Sequence, residues 1–138
     1  MSRTPEQRSW DTFKSHIRPA HLRAKRIEDM AGDGTPDVII QNTKGTVAWI
    51  ENKALPAWPK RGDTLPLANA FEPGQVPFLR SWCQWGGHAF VLLRVETLHY
   101  LLDPVSRLGD LREQTCNELV SGAIRSGTHN IIEYLERL

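Results

Sequence analysis

Cysteine is scarce in this chain of 138 residues. Cys83 and Cys116 lie far apart in the sequence, and neither belongs to a C-x-x-C pair. That usage excludes a disulfide framework and a structural zinc site from the reading, and it suits a reducing compartment. Histidine offers no metal motif either. His16, His21, His88, His99 and His129 show no H-x-x-x-H or comparable ligand spacing, and they read as surface or satisfied structural residues. No apolar run approaches the ~18–20 residues that cross a bilayer, so no membrane partner is expected. The opening stretch, MSRTPEQRSW, has no apolar core, and no export signal is expected. An excess of one charge sign is also missing, with 17 Lys and Arg against 16 Asp and Glu.

The balance hides a gradient. Residues 1–26 hold seven basic and two acidic residues, a local net of +5. Residues 27–95 hold six basic and seven acidic, and residues 96–138 four and seven. A basic end of this kind serves either nucleic-acid binding or a solvated helix face, and charge alone leaves both open. With 40% hydrophobic and 24% charged residues, the composition is that of a folded protein. The length suits one domain over 1–138.

Local patterns give the elements. Thr4-Pro5-Glu6-Gln7 is a capped helix start, followed by Trp10, Phe13 and Ile17 at helical spacing, and Pro19 ends the run. A short strand is expected near 26–29, and a turn over 31–34. Val38-Ile39-Ile40 and residues 46–53 read as two strands of an antiparallel hairpin, joined by Asn42-Thr43-Lys44-Gly45. Residues 54–74 carry Pro56, Pro59, Pro66 and Pro73 and no period, an unusually long loop. A helix is expected over 75–85, with Val76, Leu79, Trp82 and Cys83 on one face and Gly86-Gly87 as its stop. The continuous apolar run 89–95 marks a strand covered on both faces, with 98–102 as its hairpin partner. Asp110 and Glu113 open a tail helix whose stripe is Cys116, Leu119, Val120, Ala123 and Ile124. A second stripe follows with Ile131, Ile132, Leu135 and Leu138. The expected fold class is α/β, a single domain with a central mixed sheet flanked by helices.

The stretch that carries chemistry is Gly34-Thr35-Pro36-Asp37 together with Glu51-Asn52-Lys53. Residues two apart on a strand share a face, so Glu51 and Lys53 emerge together, while the backbone carbonyl of Asn52 stays available. Hairpin pairing brings Asp37 beside Glu51. Two carboxylates, a carbonyl oxygen and an ammonium then converge at the end of a sheet. Mg²⁺ takes oxygen ligands of this kind and shares them with a substrate phosphate. The two carboxylates would repel each other without a cation.

At these residues the chain resembles the PD-(D/E)XK nuclease superfamily, and within it the stand-alone phage and bacterial VRR-NUC type. The resemblance spans about residues 5–103. It is carried by Arg26-Ile27-Glu28, Gly34-Thr35-Pro36-Asp37-Val38, Trp49-Ile50-Glu51-Asn52-Lys53, and Gln75 opening a helix that ends at Gly86-Gly87. It implies a restriction-endonuclease-like αβββαβ core with a helical extension over about 108–138. It also implies metal ligands at Asp37, Glu51 and the Asn52 carbonyl, a catalytic lysine at Lys53, and a helix-start glutamine bordering the site at Gln75. A further acid falls on Glu28, which is equally placed to pair with Arg26 or another base. The chain departs from the family in having Asn52 between acid and lysine, where many members are hydrophobic, and in its long proline-rich loop.

The implied activity is Mg²⁺- or Mn²⁺-dependent endonucleolytic hydrolysis of DNA, branched or four-way-junction DNA included, in replication, recombination or repair. The implied setting is the cytoplasm of a bacterium or phage-infected host, and the implied assembly a homodimer. Lys14, Arg18, Arg23, Lys25 and Arg26 are then candidate phosphate contacts. Trp58, Lys60 and Arg61 in the long loop read either as a base-stacking and phosphate-binding set or as a packed tryptophan with solvated charges. The alternatives on the same fold are a non-catalytic DNA-binding or scaffold protein and a sequence-specific nicking or restriction-type nuclease. Outside it stands a metal-free interaction module.

Overall fold

The structure, a computed structural model, describes residues 3–27 and 34–138. The first helix, α1 (Pro5–Lys14), starts as its sequence dictates. The Thr4 hydroxyl accepts from the Gln7 N–H, and the Gln7 side chain accepts from the Thr4 N–H. This reciprocal cap satisfies two of the donors that a helix start leaves open. Trp10 and Phe13, three apart, are buried on its inner face, each worth ~1.5–3 kcal/mol by area removed from water.

Among the described residues six strands follow: β1 (Leu22–Arg26), β2 (Val38–Asn42), β3 (Val47–Leu55), β4 (His88–Val95), β5 (Leu98–Leu102) and β6 (Arg125–Ser126). They form one sheet in sequence order. Only β3 and β4 run parallel, and every other neighbouring pair is antiparallel, so the sheet is mixed. The parallel step needs a crossover, supplied by the long loop and α2 (Gln75–Gln84). The order α1-β1-β2-β3-α2-β4 is the expected αβββαβ core. The Asn42-to-Gly45 turn is held by the Asn42 carboxamide, whose oxygen accepts from the Lys44 and Thr46 N–H groups. Its nitrogen donates to the Leu135 and Leu138 carbonyls, pinning the turn to the chain's last helix.

The alternation of strand residues sorts the core into two layers. Val38, Ile40, Ile50, Phe90 and Leu92 pack under α1 and the final helix, α4 (Thr128–Arg137). Val91, Leu93, Tyr100 and Leu102 pack on the other side with Leu79 of α2 and Leu119 of α3 (Cys116–Gly122). β4 feeds both layers, which is why its sequence is continuously apolar. The proline-rich loop is not a loose arm. Leu67 is fully buried in the second layer, and Trp58 stands edge-on to Tyr100.

Three expectations need correcting. The strand expected near 26–29 is β1, which begins at Leu22. Leu22 and Ala24 turn inward while Arg23 and Lys25 turn out, an alternation hidden within a basic run. Glu28 and Asp29 lie outside the described residues. Asp110 caps a short 3-10 turn (Leu111–Glu113) rather than the tail helix, which opens instead on a Thr115–Glu118 capping box. Of the stripe expected there, Leu119 is buried, but Val120 is exposed and the helix ends at Gly122. Among the described residues no helix is long and apolar enough to cross a membrane.

Candidate active site

The site exists because β3 outruns its neighbour. β2 pairs with β3 only as far as Val38 opposite Ile50, whereas β4 pairs with β3 through Leu55. Among the described residues, 51–55 of β3 therefore have no strand partner on one edge. Asp37, the residue before β2, reaches across it, and its Oδ2 accepts from the Asn52 N–H at 3.1 Å. The N–H and C=O of one strand residue point to the same side. The Asn52 carbonyl therefore faces this same edge.

Glu51 and Lys53 rise from the sheet face that carries α2, as their two-residue spacing requires. Both are nearly buried, with 2% and 7% of their surfaces exposed. Gln75, the first residue of α2, links them. Its side-chain Oε1 accepts from Lys53 Nζ at 3.1 Å, and its side-chain Nε2 donates to Glu51 Oε2 at 3.2 Å. Lys53 Nζ also lies 3.4 Å from Glu51 Oε2 and 5.1 Å from the centre of the Phe71 ring. The same Gln75 oxygen accepts from the Glu72 N–H at 2.9 Å, so it is fixed on its own loop before it touches the lysine. The start of α2 is held close to the strand end by a glycine pair. A side chain on Gly34 would put its Cβ 2.5 Å from the Gly74 carbonyl oxygen, and Gly34 has φ +90°.

The electrostatics are unbalanced. Burial pushes the Glu51 carboxyl up to about 8, with the Asp37 charge as a second cause, and Lys53 only partly opposes them. Glu51 Oε1 is buried with no hydrogen-bond partner among the described residues. A buried carboxylate oxygen without a donor is costly. The donor set on offer, two carboxylates and a carbonyl, is all oxygen and suits a hard cation such as Mg²⁺, which commonly takes one or two carboxylates and keeps several waters. Among the described residues no group of three or more His, Cys, Asp or Glu side chains is placed to hold a metal. The fit thus rests on Asp37, Glu51 and the Asn52 carbonyl, with Glu51 Oε1 as the unanswered acceptor.

These residues line a cleft of about 320 Å³ between the starts of α1 and α2. It gathers Asp37, Glu51, Asn52, Lys53, Gln75 and Arg26 from the sequence-derived set. Lys14, Arg18, Arg23, Lys25, Lys60 and Arg61 do not line it. Arg18 is held by Glu136, at 2.6 Å and 3.1 Å, and Arg61 by Asp63 at 2.9 Å. Arg23 donates to the Gln41 side chain. Two carboxylates missed at the sequence level, Glu6 and Glu72, also line the cleft. Glu6 was legible in principle. It stands four residues before Trp10 and seven before Phe13, on the stripe of α1 that faces the sheet. Glu72, in an aperiodic loop, had no such signal.

Hjc, a Holliday junction resolvase from the archaeal hyperthermophile Archaeoglobus fulgidus, superposes with a TM-score of 0.50 at 19% identity, over 73% of this chain and 74% of that one. A VRR_NUC domain superposes with a TM-score of 0.46 at 18% identity, over 69% of this chain and 87% of that one. No protein-family model matches the chain, and no curated protein sequence matches it. At 19% identity the likeness to Hjc is one of fold, and the chain shares its restriction-endonuclease-like architecture, a mixed sheet flanked by helices.

Proposed function

We propose that this protein is a metal-dependent endodeoxyribonuclease of the PD-(D/E)XK kind that hydrolyses phosphodiester bonds in branched DNA, four-way junctions among them. The observation that carries the reading is the joining of Asp37, Glu51, Lys53 and Gln75 where β3 runs past β2, with Glu51 Oε1 buried and without a hydrogen-bond partner among the described residues. The likeness of fold to a junction resolvase supports it and points to branched substrates.

In this reading Asp37, Glu51 and the Asn52 carbonyl hold Mg²⁺ or Mn²⁺. Such a cation polarises a phosphate and lowers the pKa of a bound water. The residues of the chain do the rest. Lys53, itself 7% exposed, places a positive charge where the phosphoryl oxygens gain negative charge. Gln75 holds the ammonium in place through its oxygen and holds Glu51 through its nitrogen. Asp37, tied to the Asn52 N–H, is fixed in orientation before any ligand arrives. Arg26 at the cleft wall takes the neighbouring phosphate, and exposed Lys14, Lys25 and Lys60 supply longer-range attraction. Arg18 and Arg61 contribute less, since each already has a carboxylate.

The test is cleavage of end-labelled linear duplex, single-stranded, flap and four-way-junction DNA in Mg²⁺, Mn²⁺ or EDTA. The proposal expects metal-dependent cuts, faster on the branched substrates. Equal cutting of every substrate would remove the branched-DNA part. Binding without cleavage in any metal would favour the non-catalytic alternative.

A further inference from the structure

The cleft at the end of β3 does not stop at Lys53. A second hollow, of about 400 Å³, opens beyond it, and the two share Glu6 and Lys53 as lining residues. One wall of the hollow is β3 itself at Ala54 and Leu55, and the other is the proline-rich loop over residues 65–70. The loop holds its own shape there. The Ala68 N–H donates to the Leu65 carbonyl and the Ala70 N–H to the Leu67 carbonyl, each at 3.2 Å. Leu67, fully buried, anchors both turns in the core.

The backbone of Ala54 gives this hollow its polar edge. Successive strand residues turn their N–H and C=O to opposite sides. Leu55 faces β4, since its carbonyl accepts from the Glu96 N–H at 3.4 Å. Ala54 therefore faces the other way, as Asn52 does, toward the edge that β2 does not reach. Among the described residues neither its N–H nor its C=O has a hydrogen-bond partner. Asn69, exposed at the rim, has a carboxamide that is likewise without a partner among them. Two residues of strand separate Ala54 from Asn52, ~6.6 Å along β3. The hollow is thus a neighbour of the candidate metal position on the same edge and does not compete with it.

The lining decides what the hollow can hold. A phosphate is a poor fit. The only cation among the lining residues is Lys53, already engaged by Gln75 and Glu51, and Glu6 adds a negative charge. A flat, neutral group with donors and acceptors along one edge fits better. Leu65, 37% exposed, and Pro66 offer apolar walls to its faces, and Ala54 and Asn69 offer donors and acceptors to its edge. A nucleobase is such a group. We propose that this hollow is a nucleobase subsite, which receives the base next to the scissile phosphate once that base has left its stack. The inference rests on the nuclease reading and deepens it. A base in a duplex has to be unstacked and unpaired before it can enter, and the cost is least where pairing is already broken. Selection of branch points over linear duplex then follows from the cost of extrusion.

The test reads the base and not the cut. The full chain carrying Asp37→Asn is bound in Mg²⁺ to four-way junctions that each hold one 2-aminopurine near the crossover, a base that fluoresces more strongly when unstacked. Binding is expected to brighten the probe at one position, beside the phosphate that the wild type cuts. Adding Asn69→Ala is expected to weaken binding of that junction ~3–10-fold, the worth of one neutral hydrogen bond. Adding Ala70→Phe, which fills the hollow, is expected to abolish the brightening at an unchanged melting temperature. Should Ala70→Phe unfold the chain, Asn69→Ala decides by itself. DNA bound with no position brightened overturns the subsite and leaves the nuclease reading standing, and so does brightening and affinity that the added substitutions leave intact. A wild type that brightens the probe but cuts nothing would count against the nuclease reading alone. A chain that binds no DNA overturns both.

Discussion

The charge of Glu51 is unwelcome where it stands. Burial and Asp37 raise its carboxyl from 4.5 to about 8. The folded protein thus keeps a proton that the unfolded chain has lost across that interval. Stability from this group therefore falls as pH rises from about 4.5 to about 8. Glu51→Gln removes the penalty. In EDTA its melting temperature should exceed wild type at pH 8 and match it near pH 5, while cleavage disappears. An equal melting temperature at both pH values would show that Glu51 is not strained by its surroundings. Asp37, Glu51 and Lys53 were legible in the sequence because strand alternation and a short hairpin fix their faces before any tertiary contact forms. Glu6 could have been read from the inward stripe of α1, whereas Glu72 could not, because it reaches the cleft through loop packing that no local period records. From the residues alone Gln75 was visible only as a helix start, and it was the resemblance that placed it at the border of the site. Its double hydrogen bond to Lys53 and Glu51 is a tertiary fact.

At the scale of elements, the site depends on how closely α2 meets the end of β2. Gly34 and Gly74 make that approach possible, since a Cβ on Gly34 would lie 2.5 Å from a backbone oxygen, and its φ of +90° disfavours any other residue. Gly34→Ala is expected to cost ~1–3 kcal/mol in urea unfolding and to lower kcat further by moving Gln75 off Lys53. A variant with wild-type stability and kcat would mean the two segments are free to part. The long helices and the β2–β3 and β4–β5 hairpins were readable because capping pairs, turn residues and periodicity agreed. β1 was displaced because its alternation of Leu22 and Ala24 with Arg23 and Lys25 lies inside a basic run. β6 was invisible, being two residues too short to show a period, placed by pairing with β5 and by contacts of Arg125 and Ser126 with α4.

For the whole molecule, a second titrating group sets the acid side of stability. His99 on β5 is buried between α1 and α4, sharing hydrogen bonds with Ser9 at 3.1 Å and Thr128 at 3.2 Å. Burial, then the charge of Arg94, lowers it to about 4. Its contribution, ~3 kcal/mol in full, is present above the unfolded value of 6.5 and is lost as pH falls through about 4. With Glu51 acting in the opposite direction, the metal-free protein should be most stable at about pH 5–6. Mn²⁺ should move that optimum upward, because a cation removes the penalty on ionised Glu51. A melting profile in EDTA that climbs steadily to pH 8 would contradict this. The central claim is that the cleft at the end of β3 hydrolyses DNA. Its most direct measurement compares wild type, Asp37→Asn and Lys53→Ala on one four-way junction, in Mg²⁺ and in EDTA. Cleavage by the wild type in Mg²⁺, abolished by EDTA and reduced at least ~100-fold in both variants, is the predicted result. Variants that cut as fast as wild type, or a wild type that never cuts, would contradict it.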